Sequence, residues 1–228
     1  VHILQPLGMA HSTMRQPLPA ELTQNMSQSY LFNGSYQPFP FPRVYNTPAG
    51  VLAASGADMG RFMLTHLNDG EYNGARILQP ETARLMHTQS YTFDPALPGL
   101  AHGFEEQIIN GRRLIGHGGD SAGFHTSLRL IPDEKVGIYV AFNSANVGDA
   151  RETLLQMFMD RYFPAPQSES DSAHNENANL TEDIPLDGYT GFYTDSSISY
   201  QDSRRIWALS SMLWIRPGPN NTLQSTYL

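Results

Sequence analysis

His117-Gly118-Gly119-Asp120-Ser121 is the stretch of this 228-residue chain whose residue types could do chemistry. An imidazole exchanges a proton near neutral pH. Glycines beside it let a ligand or another backbone come close, because no Cβ stands in the way. A backbone N–H left unpaired at such a point could polarise a carbonyl oxygen, as an oxyanion hole does. The same residues also fit a plain bulge or sharp bend, with His117 as a solvent-facing turn residue. A self-contained hydrolase built from His117, Asp120 and Ser121 is disfavoured, since triad members normally come from separated segments. A metal site from His117 and His125 lacks a third ligand at a recognised spacing. No metal and no cofactor is expected.

The elements that must hold this stretch are strands. Asn110-Gly111 lies between Gln107-Ile108-Ile109 and Arg112-Arg113-Leu114-Ile115, and Asn-Gly suits a type I′ turn, which needs positive φ at both central positions. The second strand of that hairpin runs directly into His117. Two more strands are predicted, Phe124 to Ile131 and Val136 to Phe142, joined by a turn at Pro132-Asp133-Glu134-Lys135. The result is a small antiparallel meander with the histidine and its glycines at a strand end.

Helices are predicted on either side of it. Ser55 caps a helix in which Asp58 reaches back as a capping box, and Met59, Phe62, Met63 and Leu67 form the buried stripe. His66 reads as a flank residue and Gly70 as the C-terminal stop. Asn73-Gly74 makes a turn, and Pro80 opens a second short helix with Leu85 and Met86 on its apolar side. A last helix, Asp149 to Phe163, turns Leu154, Leu155, Phe158 and Met159 inward and is stopped by Pro164 and Pro166. Residues 10–50, rich in Pro, Gln, Ser, Asn and aromatics, read as a long irregular excursion.

Charge excludes one class of partner. The net charge of −8 comes from 14 basic and 22 acidic residues, and Lys135 is the only lysine. Much of the excess sits between Glu169 and Asp187, in a polar stretch that reads as a linker. Nucleic-acid binding, which needs a clustered basic face, is not expected. No apolar run is long enough to span a membrane, and the absence of cysteine excludes disulfides without deciding between cytoplasm and periplasm.

Five segments in order resemble the serine β-lactamase and penicillin-binding protein family, in particular β-lactamase-related class C-like enzymes, D-peptidases and esterases. They are Gln5-Pro6-Leu7-Gly8-Met9; Thr47-Pro48-Ala49-Gly50 with Ser55-Gly56-Ala57-Asp58-Met59; Ile77-Leu78-Gln79-Pro80-Glu81-Thr82; His117 through Phe124; and Gly137 through Asn143. The family carries a Ser-x-x-Lys with the nucleophile, a Tyr-x-Asn or Ser-x-Asn, and a Lys-Thr-Gly or His-x-Gly on a strand. His117-Gly118-Gly119 matches the third. There is no Ser-x-x-Lys, because Pro132 stands three residues before Lys135. The second motif is absent where the family places it.

The resemblance implies an α/β (α+β) fold: a β-lactamase/DD-peptidase-like antiparallel sheet flanked by helices, incomplete, followed by the start of a small β module. Residues 1–163 would be the C-terminal portion of the domain, 164–185 the acidic linker and 186–228 the incomplete module, with the N-terminal half of the domain missing. The implied chemistry is a serine acyl-enzyme on a small-molecule or peptide substrate, an ester, D-peptide or lactam. His117 would face the cleft, and Asp120 would give its backbone N–H to the oxyanion hole. Gly118, Gly119, Ser121 and Tyr45 would border the substrate. Tyr30, Phe32, Tyr36 and Phe39 would touch the acyl group or simply pin the loop. Val51 departs from relatives that place a further glycine after Ala-Gly. An extracytoplasmic or periplasmic location is implied. The other class of reading is a catalytically inactive binding or scaffold domain.

Overall fold

The computed structural model of the protein describes residues 2–41, 43–44, 48–121, 123–145, 149–166, 186–193, 212–219 and 222–227. Two compact units divide the chain, Val1–Pro166 and Gln167–Leu228.

Residues 10–50 are more regular than their composition suggests. They hold a four-residue helix α1 (Ala20–Thr23) and a hairpin of β1 (Ser29–Phe32) with β2 (Tyr36–Phe39). Strands this short, one interrupted by Pro38, show no alternation to read. Tyr30 ties the hairpin to the main body, its N–H donating to Asn143 O at 2.9 Å and its carbonyl accepting from Ala145 N–H at 2.8 Å.

Helix α2 (Gly56–Leu67) starts at Ser55, whose Oγ accepts from the Asp58 N–H at 3.2 Å. Only half of the expected capping box forms. The buried Asp58 carboxylate turns to the preceding segment, where Oδ2 accepts from the His11 N–H and the Ser12 hydroxyl, both at 2.8 Å. Arg61 joins Asp58 at 3.3 Å and also bonds the Gly8 carbonyl. The Pro6-Leu7-Gly8-Met9 segment, with Leu7 and Met9 buried, is thereby fastened to α2.

The end of α2 corrects the reading of Gly70. Asp69 takes the left-handed position (φ 53°), and the Gly70 N–H reaches back to Thr65 O at 2.8 Å, as the second residue past a Schellman end does. Gly70 is small for another reason: a Cβ there would lie 2.3 Å from Leu78 O. A two-stranded turn, β3 (Glu71–Tyr72) with β4 (Ala75–Arg76), leads to α3 (Pro80–Met86). Here Ala83 is buried and Leu85 is 57% exposed, so only Met86 of the two predicted apolar residues packs inward.

The meander follows the sequence-based expectation closely. A five-stranded antiparallel sheet runs in the order β5 (Leu100–Ala101), β6 (Phe104–Ile109), β7 (Arg112–Ser121), β8 (Phe124–Ile131), β9 (Val136–Phe142). Asn110 and Gly111 adopt φ of 52° and 74°, and Ile109 pairs with Arg112. A single 3-10 turn, Pro132–Glu134, joins β8 to β9 and ends on Lys135 in the left-handed conformation.

The sheet is buried on both faces. Ile115, Leu128 and Leu130 pack with Met63 and Leu67 of α2, while Met59 and Phe62 sit at the margin. On the opposite face, Ile109, Leu114 and Ile131 pack with Leu155 and Met159 of α4 (Ala150–Tyr162). Leu154, expected inside, is 45% exposed. It lies one residue before Leu155, 100° around the helix.

His66 is another correction: it is buried, not a flank residue. It packs edge-on to Phe62 and Phe104 at 4.7 and 5.2 Å.

The second unit holds a three-stranded antiparallel sheet, β10 (Gly191–Tyr193), β11 (Leu213–Gly218) and β12 (Thr222–Tyr227). The strand expected around Tyr189, Gly191 and Tyr193 forms from Gly191 onward, and Tyr189 ends a 3-10 turn. The 167–185 stretch and the Ile206-Trp207-Ala208-Leu209 cluster lie outside the described residues. No helix among those described is long and apolar enough to cross a membrane.

Candidate active site

Strand β7 outruns its neighbour. Its last pairing with β6 is Gly116 with Glu105, whereas its pairing with β8 continues to Ser121 with Phe124. Among the described residues, 117–121 therefore form a strand tip with a ladder on one side only. Their backbone directions follow from the hairpin. The Asn110-Gly111 turn aims the Arg112 N–H at Ile109, and in an antiparallel ladder every second residue repeats that direction. Gly116, Gly118 and Asp120 thus turn their N–H and C=O groups to the edge that β6 leaves open.

Side chains alternate as well. Ile115 faces α2, and so do His117, Gly119 and Ser121; Leu114 faces α4, and so do Gly118 and Asp120. On the α2 side lie two adjoining hollows of about 550 and 410 Å³. The smaller is bordered by all five residues from His117 to Ser121, with Met59 and Phe62 of α2 opposite. Ser121, Phe124, Thr126 and Tyr139 line both. Burial raises the Tyr139 phenol above its ordinary pKa.

His117 is exposed, with 64% of its side chain accessible. Its Nδ1 meets the Gly118 carbonyl, and its Nε2 lies 3.9 Å from Glu105 Oε1. A Cβ on Gly118 would meet Arg151 Nη1 and Thr126 O no closer than 3.7 Å, whereas one on Gly119 would lie 2.6 Å from Thr126 Oγ1. Gly119 is thus the glycine whose smallness keeps the hollow-side face of the strand open.

The Asp120 carboxylate points away from the hollow. On the α4 face it lies 2.5 Å from His125 Nδ1 and 3.1 Å from Arg151 Nη2. Burial opposes its ionisation, but the hydrogen bond from His125 and the charge and hydrogen bonds of Arg151 outweigh that and lower its pKa. Its carboxylate belongs to an ion-pair cluster, and only its backbone N–H and C=O face the open edge.

Tyr45 lies outside the described residues. Of the other loop aromatics proposed as acyl contacts, Tyr30, Phe32, Tyr36 and Phe39 line neither hollow; Phe32 and Tyr36 instead pack on each other at 5.1 Å. The aromatic from this segment that does line the larger hollow is Phe41, edge-on to Phe124 at 6.2 Å. It was overlooked in the Pro-Phe repeat, where nothing in the spacing distinguishes one phenylalanine from the next. Val51 is buried and lines the same hollow, so its side chain occupies space that a glycine would leave free.

An antiparallel sheet covered on both faces by helices is the β-lactamase/DD-peptidase-like arrangement. The Beta-lactamase family model matches residues 2–158, and the chain belongs to that family. No curated protein matches it significantly. Among solved structures it is similar to the octameric penicillin-binding protein homologue from Pyrococcus abyssi, at 18% identity and TM-score 0.57, covering 98% of this chain and 48% of that one. It is similar also to a class C beta-lactamase at 18% identity and TM-score 0.54, covering 70% and 49%. A third likeness is to the D-stereospecific amidohydrolase from Streptomyces sp., at 18% identity and TM-score 0.51, covering 72% and 47%. The chain spans about half the length of these solved relatives.

Proposed function

We propose that this chain supplies the third motif and half of the oxyanion hole to a β-lactamase-related serine hydrolase working through an acyl-enzyme. The observation that supports this reading is the overhanging tip of β7, whose outer edge has no strand beside it among the described residues and which, with the exposed His117, borders a hollow. In this reading the Asp120 N–H meets the carbonyl oxygen as it gains charge, and His117 donates a hydrogen bond to substrate or to the proton-transferring tyrosine. The serine attacks the carbonyl, a lysine–tyrosine pair takes its proton and returns it to the leaving group, and water then releases the acyl group. Serine, lysine and tyrosine come from outside these 228 residues, which contain no Ser-x-x-Lys.

An imidazole at the third-motif position, unlike an ammonium, is not a permanent cation at neutral pH. That weakens the hold on a substrate carboxylate and favours an ester or D-amino-acid amide over a lactam.

The test is covalent labelling of the natural full-length product with a fluorophosphonate and with a fluorescent penicillin, alongside reading of the nucleotides upstream of the Val1 codon. Labelling at the serine of an upstream Ser-x-x-Lys is the expected outcome. Absence of both label and motif would overturn the enzyme in favour of an inactive scaffold domain.

A further inference from the structure

We infer that Arg151 is a positioning residue, clasping the overhanging tip of β7 from the back of the sheet and so setting where the Gly118 and Asp120 backbone groups sit over the hollow. This rests on the serine-hydrolase reading for its purpose, though not for its geometry.

The tip has one ladder, so its freedom to fray depends on whatever else restrains it. Arg151 restrains it from two directions. Its Nη2 lies 3.1 Å from Asp120 Oδ1 and its Nη1 3.3 Å from Asp120 Oδ2, a forked approach to one carboxylate. The same Nη1 donates to Thr126 O at 2.9 Å, on the strand that pairs with the tip. His125 closes the cluster at 2.5 Å from Asp120 Oδ1. One guanidinium therefore joins β7, β8 and the first turn of α4.

Arg151 is also in a place that a helix would not choose for it. It is the second residue of α4, where the partial positive charge of the helix end repels a cation. Asp149 makes no side-chain cap there. The cost of a cation at this end is offset by the carboxylate it grips. Asp120 stands next to the two glycines, so its side chain anchors on the α4 face the very residue whose N–H faces the open edge.

The test is residue-resolved amide hydrogen exchange on the full chain, comparing wild type with Arg151→Met, Arg151→Lys and the isosteric Asp120→Asn. Exchange at Gly119 and Ser121, the tip residues whose N–H groups bond to β8, should accelerate by about tenfold in R151M and in D120N, with the double variant no faster than either. R151K, which keeps the charge without the fork, should fall between. Amides of Leu130 and Ile138, in the same sheet, should keep their rates, because a general loss of stability would move them too. Unchanged exchange at the tip, or acceleration spread evenly over β8 and β9, overturns the clasp. Exchange needs no reactive serine, so a labelling failure that sinks the hydrolase reading leaves this result legible, and the reverse holds.

Discussion

The Nδ1 atom of His66 lies 3.2 Å from the Nε2 atom of His87, joining the last turn of α2 to the end of α3 with Phe104 packed against both rings. One ring must donate and the other accept, so the contact needs at least one neutral imidazole. Burial, then the neighbouring His87, lowers the pKa of His66 from 6.5 to about 4. Burial, then Arg113, lowers that of His87. Unfolded, His66 takes up its proton near 6.5; folded, only near 4. Between those values the unfolded state binds more protons, so stability is intact above the upper one and falls as pH drops toward the lower. The loss amounts to about 3 kcal/mol from His66. Urea midpoints at about pH 7.5 and about pH 5 should separate clearly for wild type and much less for His66→Phe, which keeps the aromatic packing. Equal separation in both proteins would refute it.

Asp58 is a buried carboxylate with bonds to His11, Ser12 and Arg61. Asp58→Ala removes the acceptor and strands a hydroxyl, an amide and a guanidinium at once. A loss of about 3 kcal/mol is expected. Urea unfolding reads it, and the Pro6–Met9 segment should become sensitive to proteolysis in the same variant.

Two glycines on β7 should respond very unequally to alanine. A Cβ at Gly116 would lie 1.9 Å from the Leu128 carbonyl, which cannot move without parting β7 from β8. At Gly118 the nearest atoms stand 3.7 Å away. Gly116→Ala should cost about 3 kcal/mol or more, and Gly118→Ala less than about 1 kcal/mol. Thermal melts of the two variants side by side check this.

Ser127 is 4% exposed, and its Oγ finds no hydrogen-bond partner among the described residues. An unpaired buried hydroxyl costs stability, so Ser127→Ala should be neutral or stabilising by up to about 1 kcal/mol. A clear loss of stability would mean that the hydroxyl is satisfied by water.

The meander was legible because its signals are local. Asn110-Gly111 set the turn, and both later strands have the predicted ends. His66 was misjudged for its residue type, although it follows Phe62 by four positions and so shares that stripe. Leu154 and Leu85 were misjudged the other way, because a hydrophobic residue adjacent to a buried one need not share its face. In the site, the histidine and glycines were visible as a motif. The overhang of β7, the split of Asp120 between an edge-facing N–H and a rear-facing carboxylate, and the grip of Arg151 were not. Each depends on how far β6 extends and on what α4 brings across 31 residues, which no short pattern encodes.

Lys135 sits exposed on the tight turn between β8 and β9. The tip of β7 pairs with the other end of β8, seven residues away, or roughly 23 Å along an extended strand. An amine-reactive fluorophore would find one lysine side chain on this chain, at a corner well clear of the hollow. The fold thus carries its own single-point handle, from which a dye could watch the far end of the strand without touching it.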